Sequence, residues 1–436
     1  MNTSKLRSLL AAFFIPFCLM AQEDVPHTAH PVSIPNSMSD KVKTMAEELI
    51  KTGFTAGDGY GEVWIRDLNT FITLSCTVND KEQIRNHLIR FLQFQQADGG
   101  ILDGYLPASK ASGESVFYRS ALAPEYLGHK NTVETDQETS LVQAIAKYIR
   151  ATGDSAILQE QVAGNTVQKL LEKALNFLLN ERFNKQYGLL WGATTADWGD
   201  VQPEHDWGVV LDENSHLAID IYDNAMFMIA IQDFLEIASL DAQQADRWTK
   251  VKGSIKENIE KHLWDENAKK YIPHIYLDGS PFPDSFDESA VYYHGGTAVA
   301  IEAGLLTKEQ VLHAYQRMQE NVKLANAATI GLTLYPTYPE GSFQNKGMGP
   351  YSYQNGGDWT WFGGRMISQL IRYGFIKEAE EALYPMLDRV IKNNGFYEWY
   401  TPANEPKGSS SFRGEAGVLW SALQELETKK AALGSN

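Results

Sequence analysis

The chain has 436 residues, of which 43% are hydrophobic and 21% charged, the balance of a soluble protein with a large buried core. That length fits either two average domains or one large repetitive one. A formal net charge of −17 argues against nucleic acid as a partner, because phosphate binding needs clustered Lys and Arg, and it disfavours strongly anionic substrates.

The first element is a targeting pattern. "MNTSKLRS" carries Lys5 and Arg7, and a short apolar run follows that ends in small residues near Ala21. Cleavage is expected near Ala21 or Gln22, so residues 1–21 read as a signal peptide of an exported, periplasmic or extracellular protein. Residues 22–36 read as a lead-in segment, and 37–436 as one catalytic unit. The apolar run is too short for a membrane span, and no later run reaches the roughly 20 residues that a span requires. Of the two cysteines, Cys18 leaves with the signal and Cys76 remains as a lone thiol, expected in the core. Neither an intramolecular disulfide nor a cysteine-based metal site can then form.

From residue 37 onward, helical periodicity predicts twelve helices. They fall near 37–53, 68–79, 81–97, 136–152, 163–181, 217–239, 243–263, 287–302, 307–320, 358–373, 375–392 and 412–429. Connections after odd-numbered helices are long and rich in Gly, Pro and aromatics. Several of the others are as short as "ND" at Asn79–Asp80. The sixth helix, "LAIDIYDNAMFMIAIQDFLEIA", is apolar over most of its circumference, whereas the seventh is charged with one apolar stripe. Even-numbered helices should therefore line an inner ring and odd-numbered ones an outer ring. The expected fold is an all-α (α/α)6 barrel of six helical hairpins, with its site at the mouth formed by six long loops.

Chemistry gathers on those loops. The first ends in "GYGEVWIRDLNTF", with Trp64, Arg66 and Asp67 at a helix start. The second ends in "NTVETDQETS", where Glu134, Asp136 and Glu138 suit a helix N-terminus for dipole reasons, and Asp136 could also face a ligand. The third, "ATTADWGDVQPEHDWG", sets Asp197, Asp200, Glu204 and Asp206 beside Trp198 and Trp207. The fourth carries His294, which reads as a packed core histidine. The fifth, "GPYSYQNGGDWTWFGG", holds Tyr353, Gln354, Asn355, Asp358, Trp359 and Trp361 among glycines. The sixth, "NGFYEWYTPANEPKG", puts Glu398 between Tyr397 and Trp399. Carboxylates and flat rings with few cations suit a neutral oligosaccharide: carboxylates bridge hydroxyls and rings stack on C–H faces. No metal-ligand pattern, cofactor motif or protein-partner surface is read from the chain.

These motifs resemble a known group. "WIRDLNTF" resembles a segment of glucoamylases and alkaline/neutral invertases, and "YQNGGDW" resembles a second invertase segment. "FYEWYTPANEPKG" resembles the base-bearing segment of invertases, trehalases and processing α-glucosidases. "DWGD" resembles loops of debranching-enzyme glucosidase domains and cellobiose phosphorylases, although the phosphorylases lose much of their matching outside it, which counts against phosphorolysis. Together they mark the six-hairpin (α/α)6 glycosidases. The resemblance implies hydrolysis of an α-glycosidic bond, an α-glucosidic one foremost, with inversion. It casts Glu398 as general base and Asp200 as general acid, with Asp197 the close alternative. Arg66 and Asp67 then hold the sugar, helped by Trp64, Asp136, Trp198, Tyr353, Asn355, Trp359, Trp361 and Trp399.

Two other readings share the barrel. A sugar 2-epimerase would use a histidine pair, for which His216, His274 and His294 are the candidates. A uronide-acting lyase or hydrolase would need several cations in the cleft. A barrel that only binds sugar is a third.

Overall fold

The computed structural model describes residues 33–111, 117–129, 132–206 and 210–434. The expected signal peptide, most of the lead-in segment and Trp207 lie outside these residues. Among the described residues there are twelve α-helices. The first six are α1 (Asn36–Ile50), α2 (Ile65–Val78), α3 (Lys81–Gln93), α4 (Gln137–Thr152), α5 (Val167–Glu181) and α6 (Ile221–Ile237). The second six are α7 (Ala242–His262), α8 (His294–Glu302), α9 (Lys308–Leu324), α10 (Thr360–Tyr373), α11 (Ile376–Asn393) and α12 (Arg413–Gly434).

The even-numbered helices pack consecutively, α2 on α4 through to α10 on α12, and α12 returns to α2 and closes the ring. Their composition explains the placement. In α6, both faces are buried, including Tyr222, Asn224, Phe227 and Phe234. In α7, Trp248, Ile255 and Ile259 form the one buried stripe, and this helix packs outside α6. The expected (α/α)6 barrel of inner and outer helices is the observed fold.

Capping follows this division only in part: outer α3 and α5 are capped by Asp80 and Thr166, outer α1 and α11 have no side-chain cap, and inner α6 is capped by Asp220. The outer helices α7 and α9 begin with capping boxes, at Asp241–Gln244 and Thr307–Gln310. The N-cap residues of inner helices α2, α4, α8 and α10 give no side-chain cap of their own. At α8 the N–H groups of Gly295 and Gly296 are met instead by a side chain of the third long loop, Asp197.

Three helix starts differ from expectation because short strands take the preceding residues. Residues 217–219 pair with 192–193 and with 275–276, so α6 begins at Ile221. Tyr292 and Tyr293 pair with Tyr335 and Leu334, so α8 begins at His294 rather than near 287. A hairpin over 161–166 delays α5 to Val167. Cys76 is half-buried and packs against the core with a free thiol. No helix among the described residues is long and apolar enough to cross a membrane.

Candidate active site

At the mouth, the first, second, third, fifth and sixth long loops enclose a cavity of about 470 Å³. Tyr60, Trp64, Arg66 and Asp67 come from the first loop and the start of α2. The second loop adds Asp103, His129, Glu134 and Asp136, and the third adds Trp198 and Asp200. Tyr353, Gln354, Trp359 and Trp361 come from the fifth, and Glu398 and Gly408 from the sixth.

Glu398 stands on a hairpin of 397–400 against 406–410. Its Oε2 accepts from the Ser409 N–H at 2.8 Å and its Oε1 from the Tyr60 hydroxyl at 2.8 Å. Gly408 makes this possible: it sits at φ +69°, and a Cβ there would lie 2.5 Å from Oε2. Burial holds the Glu398 carboxyl above the usual range, offset in part by those two bonds, while the negative charge of Asp200 raises it further. Asp200, half-buried on the third loop, is bound to Gln354. The Gln354 Nε2 donates to Oδ1 at 2.6 Å, and the Asp200 N–H donates to Gln354 Oε1 at 3.2 Å.

The neighbouring Asp197 is placed differently. It is fully buried at φ +58°, away from the main cavity, and its two oxygens accept from the N–H groups of Gly295 and Gly296 at 2.7 and 2.8 Å. It supplies the cap that α8 lacks. Burial raises its carboxyl well above the usual range even against those two bonds.

Arg66 is bound within the protein. Its Nε donates to Asp136 at 2.8 Å, it pairs with Glu134, and its side chain reaches the Trp198 carbonyl. Asp136 also accepts from the Tyr222 hydroxyl at 2.7 Å. Asp67 is pushed up to about 7, first by burial and then by Glu398 and Asp200, against the adjacent Arg66. Below them lies a ring floor. Trp198 stacks on Phe362 at 4.4 Å and meets Trp359 edge-on at 4.8 Å.

Two expected sugar contacts are not at the cavity. Asn355 braces the fifth loop, accepting from the Tyr338 N–H and donating to the carbonyls of Tyr338 and Met348. Trp399 packs edge-on to Tyr353 behind the wall. Asp358 is locked to Thr329 and Arg389 in the interior. Glu204 pairs with His216, and Asp206 is exposed. The three histidines of the epimerase reading are outside the cavity. His274 pairs with Glu288, and His294 is buried against the Ile330 carbonyl and Asn321, as a core histidine would be.

Tyr60, Asp103 and His129 also line the cavity and are not among the site residues expected from the sequence. Tyr60 shares its loop with "WIRD", and that proximity was the available signal. Asp103 and His129 are brought together only where residues 104–107 pair with 126–129, a contact that no local pattern encodes. Among the described residues, no group of three or more His, Cys, Asp or Glu side chains is placed to hold a metal ion.

A helical barrel whose mouth is lined by carboxylates and indoles defines a carbohydrate-active enzyme. The chain belongs to the glycosyl hydrolase 94 superfamily, whose catalytic domain matches residues 32–364. Glu398 lies beyond the matched span. The chain is similar to the N,N'-diacetylchitobiose phosphorylase of Vibrio proteolyticus, 22% identical over 202 residues, 45% of this chain and 23% of that protein. The Vibrio furnissii enzyme of the same name is 24% identical over 194 residues, covering 42% and 22%. The chain thus spans less than a quarter of the length of these curated relatives.

Among solved structures, the GH63 mannosylglycerate hydrolase from Thermus thermophilus, in complex with glucose, superposes with a TM-score of 0.61 at 16% identity. That match covers 87% of this chain and 99% of that one. The rhamnosidase from Klebsiella oxytoca, with rhamnose bound, gives 0.61 at 13% identity, covering 90% and 65%. At such identities the likeness establishes the fold. One expectation changes here: similarity to phosphorylases extends well beyond "DWGD", so that argument against phosphorolysis does not stand.

Proposed function

We propose that the protein is an exported, inverting glycoside hydrolase that cleaves an α-linked neutral oligosaccharide. Asp200 acts as general acid and Glu398 as general base. The observation that carries this reading is the shared cavity: loops preceding α6 and α12 turn these two carboxyl groups into one chamber walled by indoles. Asp200 protonates the glycosidic oxygen as the C–O bond breaks. Glu398 removes a proton from the water that attacks the anomeric carbon on the other face, which inverts its configuration. The Tyr60 and Ser409 bonds keep Glu398 an acceptor, as a base must be. An α-glucoside is the leading substrate because most of the families that the motifs resemble act on one. The basic, then apolar N-terminal segment supports export, which N-terminal sequencing of the mature protein would test.

Phosphorolysis is the second reading, favoured by the names of the curated relatives. It needs an anion site in place of a base. The cavity's charge speaks against it: Arg66 already serves Glu134 and Asp136, and a phosphate would meet Asp67, Asp200 and Glu398. A uronide meets the same objection.

The test is to incubate wild type and Glu398→Gln with α- and β-linked disaccharides and aryl glycosides, with and without inorganic phosphate, and follow the released anomer by NMR. Hydrolysis supports the base assignment when it is phosphate-independent, yields the inverted sugar, and falls by about 10³-fold or more in Glu398→Gln. Release of a sugar phosphate only when phosphate is present would establish the phosphorylase instead.

A further inference from the structure

Gln354 is almost fully buried, yet its amide reaches the cavity wall and meets Asp200 at two points. The orientation of that amide is fixed by chemistry. The Asp200 backbone N–H can only donate, so Gln354 Oε1 must face it. Gln354 Nε2 then faces Oδ1, where it can only donate. The third loop is shaped for this contact: a Cβ at Gly199 would stand 2.7 Å from Oε1 and 3.2 Å from the amide carbon, so glycine admits the amide against the backbone. The clamp is itself held from behind, where the Thr333 hydroxyl donates to the Gln354 carbonyl at 3.0 Å.

A carboxylic acid can carry its proton on either oxygen, and only one of them can face a leaving group. With an N–H already directed at Oδ1, that oxygen is best kept as the carbonyl acceptor, because a hydroxyl oxygen accepts more weakly and a proton there would weaken the bond. We propose that Gln354 is a positioning residue that confines the acid's proton to Oδ2 of Asp200, the oxygen left to meet the glycosidic oxygen. This rests on Asp200 being the general acid. During the step the Oδ2 proton passes to the leaving oxygen, which takes the electron pair of the breaking C–O bond. Asp200 becomes a carboxylate, and the bond from Nε2 to Oδ1 strengthens as charge develops there.

The experiment compares wild type, Asp200→Asn, Gln354→Leu and Gln354→Glu on phenyl, 4-nitrophenyl and 2,4-dinitrophenyl glycosides of the sugar selected by the panel above. Asp200→Asn should lose the phenyl glycoside, whose leaving group needs a proton, and keep the dinitrophenyl glycoside, which needs none. Gln354→Leu should follow the same pattern less severely: kcat on the phenyl glycoside falls about 10- to 100-fold, with KM and the dinitrophenyl rate little changed.

Gln354→Glu is isosteric and guards against a folding artefact. At acid pH the introduced carboxyl is protonated, donates to Oδ1 and sustains the phenyl rate. As it ionises, it draws the Asp200 proton onto Oδ1 and the rate falls, so activity is confined to a lower pH range than in wild type. The same leaving-group dependence in Gln354→Leu as in wild type, or an unchanged pH profile in Gln354→Glu, overturns the role of Gln354 while Asp200 keeps its own. If Asp200→Asn shows no leaving-group dependence, the acid assignment falls and this inference with it.

Discussion

Tyr60 and Glu398 lie 338 residues apart and meet at 2.8 Å, a contact made by closure of the ring. Because the Tyr60 hydroxyl favours the ionised carboxylate, Tyr60→Phe should raise the Glu398 carboxyl further. A base must be ionised to act, so the acid limb of kcat/KM moves to higher pH and kcat falls roughly tenfold, as expected for losing a hydrogen bond to a charged group. A pH–rate profile of the variant checks both. Asp67 carries a different consequence. Its carboxyl is pushed up to about 7 in the fold, against an ordinary value of 3.8. Between those limits the folded chain keeps a proton that the unfolded chain releases, so this site's contribution to stability is full at low pH and is lost as pH rises towards 7. Asp67→Asn removes that loss. In denaturant melts it should be more stable than wild type at pH 8 by an amount on the order of a few kcal/mol, show no such gain near pH 4, and bind substrate less well.

Asp197 and Asp200 are three residues apart in one loop, and the fold divides them between two elements. Asp197 closes the N-terminus of α8 with both oxygens, so Asp197→Asn turns a donor toward a donor in a buried site. It should cost about 2 kcal/mol or more in a denaturant melt, while the molecules that stay folded turn over substrate. Asp200→Asn should do the reverse, losing turnover of substrates whose leaving group needs a proton, at little cost in stability. That distinction was not legible in "ADWGD", because it depends on Gly295 and Gly296, nearly one hundred residues downstream. The helices were legible because their burial follows a 3.6-residue period, from the nearly all-apolar α6 to the striped α7. The short strands that trimmed α5, α6 and α8 were not, since two or three residues show no alternation. Cavity residues announced by motif, such as Trp64, Asp67, Trp359 and Glu398, were found. The binding of Arg66 by Glu134 and Asp136, and the Gln354 clamp, are cross-loop contacts that no local pattern encodes.

The whole molecule is a closed ring, and the two rings of helices place opposite demands on the same residue type. The inner ring is closed by α12 against α2, with α1 packed on α12 outside it, and the inner contact is close because Gly417 faces Phe71. A Cβ at 417 would lie 2.5 Å from Phe71 Cβ and 2.6 Å from its Cα, a contact with backbone that no side-chain rotation relieves. Alanine in a helix interior ordinarily gains about 1 kcal/mol over glycine. At 417 the sign should reverse, because α12 must move away from α2 and open the barrel beside the hairpin that carries Glu398; overpacking of this kind costs about 1–3 kcal/mol or more. Gly253 is the control. It is exposed on the outer helix α7, where an added Cβ would meet nothing within 4 Å, so Gly253→Ala should stabilise by about 1 kcal/mol. Thermal melts of the two variants separate a ring closed by backbone contact from one merely covered by side chains. Stabilisation by Gly417→Ala would mean that α12 does not lie against the backbone of α2, and a cavity that joins loops from both ends of the chain would lose its frame.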